Sequence, residues 1–488
     1  MNRGLTLSLA ATVLAIGACS DKDSSPTNPS ETSAVAFSQT SLSYVISFSA
    51  KDAGDVKAAI ERAGGKARNL SRPAGLGTAE SADPAFAAKL RTERGIRAVA
   101  MDTVVQWVPK ERVVEASIGD NETFFNAQWA PQSIHAEEAW DAGARGTGAR
   151  VAVLDGGLNN NHIDLNNSVD VAHSKSFVDG FQFNQDVLCT PTPPATTCVT
   201  FSHATHVAGI IAAEDDDLGA IGVAPGATII GVKVLHGGSG SFGAIIDGIV
   251  YAATPTDAPE DPGAGAHIIN MSLGAQFPSG RDSKVRALKA LLDEATTFAH
   301  NEGVLVVASA GNGDRQGRGI DHDLGQWFTL PAQADFVVGV SALGPVGFAL
   351  NPPIPTSDDF DRLASYSNFG VRIVDFSGPG GDFALPGNAV CSIPRIPTGL
   401  LINFCWVFDM VISPGSLGPV NNSYFFAAGT SMSAPAVSGV AALVVATKHP
   451  ADADALFNIL VNTADDLGAP GVDRVHGNGR VNAFAATQ

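Results

Sequence analysis

The sequence predicts an α/β fold in which a mainly parallel central sheet is covered by helices on both faces, preceded by a small α+β unit. Two observations predict the main fold. Short, continuous β-branched runs recur from about residue 126 onward, and helical patterns separate several of them. Apolar strands without alternation, interleaved with helices, imply a parallel sheet buried on both sides. A third observation, a distinct mixed pattern over residues 44–108, sets the leading unit apart.

A chain of 488 residues with 45% hydrophobic residues can form one large domain with smaller attachments. Lys+Arg 30 against Asp+Glu 49 give a net charge of −19. That acidity argues against nucleic acid or an anionic membrane surface as the main partner. Arg3 precedes an apolar run, Leu5 to Ile16, that ends at Gly17-Ala18-Cys19. A short apolar core followed by small residues reads as a secretory signal over residues 1–18, not as a spanning helix. Ile16-Gly17-Ala18-Cys19 also resembles a bacterial lipobox, in which Cys19 is acylated. The alternative is an ordinary cleaved signal with an incidental cysteine. Residues 19–41, rich in Ser, Thr, Asp and Pro, follow as a solvated tether. Membrane contact is expected only through this lipid anchor. The remaining cysteines are Cys189, Cys198, Cys391 and Cys405. Four cysteines in an oxidising compartment suggest two disulfides with three possible pairings, of which the sequence-local one is expected.

In the leading unit, 42–109, Tyr44 to Phe48 reads as a strand and Asp52 to Ala63 as a helix. Ala67 to Leu70 reads as a strand and Asp83 to Arg94 as a second helix. Gly95 to Met101 and Val104 to Val108 complete the unit. Lys110 to Glu122 carries charges without an apolar period, which predicts a linker over 110–126. The main domain, 127–488, has strand runs at Val151 to Leu154, Thr228 to Val234, His267 to Asn270, Val304 to Val307 and Phe336 to Val340. Helical patterns lie at Gly243 to Ala252 and Ser283 to Asn301. His203 to Ala213 and Ser431 to Ala446 are rich in Ala, Gly and Val, as in helices buried all round. Both begin at a potentially reactive residue, and functional residues are expected near the carboxyl ends of the strands.

Asp155 directly follows a strand, and Gly156-Gly157 allow a sharp turn. By itself that is an ordinary turn aspartate. His203 lies in Ser202-His203-Ala204-Thr205-His206-Val207-Ala208-Gly209, and its spacing from His206 alone also suits a metal, although no third ligand is evident. Ser431 lies in Gly429-Thr430-Ser431-Met432-Ser433-Ala434-Pro435, where Gly-Thr-Ser alone is a common helix start. The order Asp, His, Ser with these flanks is far more specific. With Asn270-Met271-Ser272-Leu273-Gly274 and Ala310-Gly311-Asn312, five motifs occur in sequence. The chain from about Ala127 to its end resembles the subtilisin-like serine proteases, the subtilases.

The resemblance implies a three-layer sandwich and a serine endopeptidase acting on proteins or peptides, with no catalytic cofactor. It implies that Asp155, His203 and Ser431 form the triad, that Asn312 donates to the oxyanion, and that Ser272, Leu273, Gly274, Ala310 and Gly311 bind substrate. His206 is expected to be structural. The resemblance also implies structural calcium, held by Asp164, Asp216 and Gln128 with the carbonyls of Glu214, Leu218 and Ala220. The leading unit is similar to subtilase inhibitor pro-domains, which block the cleft until cleaved, and places maturation between Trp107 and Ala127. Ser377 to Tyr424, longer than the family core needs, is expected to form a surface loop near the nucleophile. Gly156, Ala204 and Ala436 depart from the family pattern. The departures at Gly156 and Ala204 motivate one alternative, a non-catalytic envelope binding protein with this fold; a second is an esterase or transacylase using the same triad.

Overall fold

The computed structural model describes residues 41–108, 113–116, 124–189, 199–259, 261–279, 283–350, 360–417 and 422–488. The expected signal segment, Cys19, Cys198 and nearly all of the tether lie outside the described residues.

The leading unit is a four-stranded antiparallel sheet in the order Lys66–Ser71, Leu76–Ser81, Leu42–Phe48, Ile96–Met101. Alternation along Leu42–Phe48 explains its two-sided packing. Tyr44, Ile46 and Phe48 join Val56 and Ile60 of the helix Ala53–Arg62 and Phe86 and Leu90 of the helix Phe86–Leu90 in a small core. Val45, on the opposite face, is buried in a core shared with the main domain. Leu76–Ser81 is a strand that the sequence reading leaves unassigned, because Gly77, Ala79 and Glu80 are residue types depleted in strands. The second helix is shorter than expected, Phe86–Leu90 instead of Asp83 to Arg94; Asp83 and Pro84 form the turn that leads into it.

The main sheet has seven strands, in the order Phe376–Pro379, Val337–Leu343, Leu305–Ser309, Ile268–Met271, Arg150–Asp155, Thr228–Lys233, Lys175–Ser176. Every neighbouring pair is parallel. Alternate residues serve opposite cores. Val151 and Val153 pack toward the helices His203–Ala212 and Thr430–Lys448. Ala152 and Leu154 pack toward Phe242–Ala253 and Ser283–Asn301. Burial on both faces is why these strands lack polar alternation. Thr430–Lys448 is long and apolar enough to cross a membrane by composition, but it is a buried core helix.

Two readings are corrected. The expected linker contains a strand, Val113–Ala116, paired antiparallel with Tyr424–Ala427. At four residues, next to Lys110, Glu111 and Arg112, it is too short to show a period. Ser377 to Tyr424 is not simply a surface loop. It holds a hairpin, Val390–Pro394 with Leu400–Phe404, closed by the Cys391–Cys405 disulfide. Its later strand, Val411–Pro414, is fully buried against Tyr424–Ala427. Cys189 is also disulfide-bonded.

Candidate active site

The parallel sheet places Asp155 at the carboxyl end of its strand, with 2% exposure. Its carbonyl accepts from Val234 N (2.8 Å) and Leu235 N (3.0 Å) of the next strand's end. Its Oδ1 accepts from Gly156 N at 2.6 Å, and its Oδ2 lies 2.7 Å from His203 Nδ1. His203 opens its helix because Ser202 caps it, accepting from Thr205 N at 3.1 Å. The Ser202 hydroxyl also donates to Gly157 O at 2.7 Å. One side chain thus starts the histidine helix and fastens it to the aspartate turn. Ala204, at the first departure within that helix, is buried without interrupting it.

Ser431 is the second residue of its helix, which packs beside the His203 helix. Its hydroxyl donates to Ser272 O at 3.3 Å, and the Ser272 hydroxyl donates to Ser431 O at 2.8 Å. Asn270 braces this exchange: its Nδ2 donates to Ser272 Oγ (2.9 Å) and its Oδ1 accepts from Ser438 Oγ (2.9 Å). Asn312 comes from a third strand end. Thr430 donates to Asn312 Oδ1 through both N (2.8 Å) and Oγ1 (2.7 Å). Gly311, at φ +101°, donates from its N to Thr430 Oγ1 at 3.0 Å. A φ in that range is strained for other residues, so the glycine is needed here.

The structure joins Asp155 to His203, and joins Ser431 to Ser272 and, through its neighbour Thr430, to Asn312; the helices that begin at His203 and Thr430 pack together. Ala310 and Gly311, expected to bind substrate, have their backbone groups hydrogen-bonded within the chain. Ala310 N donates to Val340 O, and Ala310 O accepts from Asn368 Nδ2. Gly311 N is held by Thr430, and its O accepts from Asn368 N. These bonds fix the backbone that leads into Asn312. Asn368 and Thr430 are supporting residues that the sequence reading missed. Thr430 stands inside a recognised motif, whereas Asn368 carries no local signal. His206 is buried and hydrogen-bonds Phe425 O at 3.0 Å, a structural role as expected.

A segment of the chain itself lies across the site. Val104–Gln106 pairs antiparallel with Ser239–Ser241. On its other side, Gly274 N donates to Trp107 O at 2.8 Å. Trp107 is 0% exposed, donates from Nε1 to Gly240 O at 2.9 Å, and meets the Phe242 ring edge-on at 4.8 Å.

The acidic loop lies apart. Asp164 is fully buried, and burial, reinforced by Asp216 and Glu214, raises its carboxyl to about 8. Its Oδ2 accepts from Ala220 N at 2.9 Å, while its Oδ1 is buried without a partner. Gln128 Oε1 accepts from Ile221 N at 3.0 Å, beside Ala220. The Glu214 carboxylate accepts from Asn167 N and Nδ2, both at 2.8 Å. Among the described residues no group of three or more His, Cys, Asp or Glu is placed to hold a metal ion; the orphaned buried Asp164 oxygen, close enough to Asp216 and Glu214 to feel their charges, is the feature that would suit a hard cation taking oxygen ligands.

Residues 146–479 match the family model described as the subtilase family. Halolysin from Haloferax mediterranei is 31% identical over 404 residues, 83% of this chain and 61% of its own length, so the chain spans less than two thirds of that relative. Subtilisin Savinase from Lederbergia lenta is 32% identical over 362 residues, 74% of this chain and 98% of its own. Among solved structures, the epidermin leader peptide processing serine protease of Staphylococcus aureus is 20% identical. It superposes with a TM-score of 0.66 over 92% of this chain and 98% of its own, a likeness in fold. The chain belongs to the subtilase family, whose members are serine endopeptidases of the subtilisin type.

Proposed function

We propose that the chain is an exported serine endopeptidase that cleaves protein substrates through an acyl-enzyme. The observation that carries this reading is the 2.7 Å contact between buried Asp155 and His203, on a helix packed beside the one that presents Ser431. A serine hydroxyl is a weak nucleophile and needs an adjacent base. His203 takes the proton as Ser431 Oγ attacks the scissile carbonyl carbon, and returns it to the amine as the C–N bond breaks. Asp155 orients the imidazole through Nδ1 and stabilises its charged form. Asn312 Nδ2 and Ser431 N, at the helix start, receive the negative charge on the carbonyl oxygen. Water then attacks the ester and regenerates Ser431.

Substrate adds as a strand between Ser272–Gly274 and Ser239–Ser241, the place that the chain's own Val104–Trp107 segment takes. The leading unit therefore acts as an inhibitory pro-domain until the chain is cut between Trp107 and Ala127. Asp164, Asp216 and Gln128, with the carbonyls of Glu214, Leu218 and Ala220, would hold a calcium ion, which supplies cross-linking charge to that loop and no part of the chemistry. Export rests on the apolar segment Leu5 to Ile16, and anchoring on acylation of Cys19. The test compares wild type with Ser431→Ala by intact mass and casein hydrolysis. Wild type is expected to lose a segment ending between Trp107 and Ala127 and to digest casein, and the variant to do neither. A folded wild type that neither matures nor labels with a fluorophosphonate would overturn the reading.

A further inference from the structure

The turn after Asp155 is held by a residue outside the triad motifs. Asp186 Oδ2 accepts from Gly157 N at 2.8 Å and from Lys233 Nζ at 3.3 Å. Its Oδ1 accepts from Gly237 N at 2.8 Å and from its neighbour Val187 N at 2.8 Å, and lies 3.4 Å from His236 Nδ1. The Lys233 side chain is 0% exposed, its Nζ also bonds Leu235 O, and Lys233 sits opposite Asp155 in the parallel register. Gly157 is thereby held at both ends, its N by Asp186 and its O by Ser202, the cap of the His203 helix. A side-chain carbon added to Gly156 would come 2.3 Å from Asp186 Oδ2, closer than real contacts allow. The glycine after Asp155 and the aspartate at 186 are therefore complementary: the carboxylate occupies the space that a side chain at 156 would fill.

We propose that Asp186 is a positioning residue for the Asp155–His203 pair, locking the 155–157 turn between a buried lysine and the histidine helix. This rests on the serine endopeptidase reading. Charge-assisted bonds to fixed backbone N–H groups make a stiff support, and Lys233 compensates the partly buried carboxylate. Asp186 also holds Gly237, just ahead of the Ser239–Ser241 strand, so one side chain registers the triad to the edge on which substrate lies.

The test is a double-mutant cycle on the full chain after maturation, with fluorophosphonate labelling of Ser431 as a control. Misplacing a catalytic group by about 1 Å costs about 10²-fold, so Asp186→Ala is expected to lower kcat by about that factor with KM little changed. Gly156→Ser alone is expected to lower kcat about tenfold through its collision with Asp186. Gly156→Ser in the Asp186→Ala background is expected to cause no further loss, because the space is vacated. If Asp186→Ala does not fold, Asp186→Ser, whose shorter side chain also vacates that space, carries the same cycle. Wild-type kcat in a folded Asp186 variant, or losses that multiply in the double variant, would overturn the inference while wild-type labelling leaves the hydrolase reading intact. An unlabelled wild type overturns the hydrolase reading, and this inference with it.

Discussion

Thr430 fixes the orientation of the Asn312 side chain. Its N–H and its hydroxyl both donate to Asn312 Oδ1, at 2.8 and 2.7 Å, so the amide nitrogen is the end turned away from Thr430. A reversed amide would set an N–H against the Thr430 backbone N–H, which cannot accept, and would turn its carbonyl oxygen toward the oxyanion proposed above. The network therefore sets the chemical identity of the donor as well as its place.

If Asn312 is the oxyanion donor proposed above, Asn312→Ala lowers kcat and leaves KM nearly unchanged, since that bond would form only in the transition state. In subtilisin, loss of the corresponding donor costs about 10²–10³ in kcat. Thr430→Val, which removes only the hydroxyl, is expected to produce a smaller loss in the same parameter. Steady-state kinetics on one peptide substrate would check both; a change confined to KM would show that Asn312 binds ground-state substrate instead.

The acidic loop gives a prediction independent of activity. With calcium bound at Asp164, excess chelator lowers the melting temperature of the wild type. A ligand at about 100 times its Kd stabilises by about 2.7 kcal/mol. Asp164→Asn is expected to melt at one temperature with or without chelator. An unchanged wild-type melting curve in metal-free buffer would remove calcium from the account.

The Cys391–Cys405 bridge closes the hairpin over a separation of 14 residues. Closing a loop of that size stabilises by about 3 kcal/mol in the chain-entropy view. Replacing both cysteines with serine should lower the denaturant midpoint and spare kcat, because none of the hydrogen bonds described around Asp155, His203, Ser431 and Asn312 involves the hairpin.

What the sequence makes legible divides along a physical line. The strand runs and the two charge-poor helices are readable because double-sided burial demands unbroken apolar residues. Ser283 to Asn301 coincides with its helix end to end. Asp155, His203, Ser431 and Asn312 are readable because each sits beside its own strand end or helix start. Asn368 and Asp186 are not, since their partners are 58 and 29 residues away in the chain, respectively, and nothing nearby in sequence marks them. Leu76–Ser81 and Val113–Ala116 escape for a different reason: the first is built largely of residue types depleted in strands and the second is only four residues long, so register with a partner strand defines them more than their own pattern does. Gly156 reads as a departure in sequence, yet the structure pairs it with a distant carboxylate.

The last prediction concerns release of the leading unit. Asp247, on the helix Phe242–Ala253, accepts from Asn69 Nδ2 at 2.7 Å and Thr78 Oγ1 at 3.2 Å, both from that unit. Burial raises Asp247 to about 7, with the Asp102 charge adding to it and Lys175 opposing it. Burial also raises Asp102, which accepts from Gly243 N at 3.0 Å. Once the unit leaves, Asp247 faces water and returns toward the ordinary aspartate value of 3.8. The associated form thus binds more protons between pH about 4 and about 7, and association weakens as pH rises through that window, then levels off. A single such group changes the association constant by at most about tenfold per pH unit. Gel filtration of processed protein from pH 5 to pH 8 should show the cleaved unit retained at the acid end and released at the neutral end. Asp247→Asn, neutral throughout, should flatten the dependence and keep the unit bound at pH 8. A pH profile identical in the two proteins would mean that release is governed elsewhere in the interface.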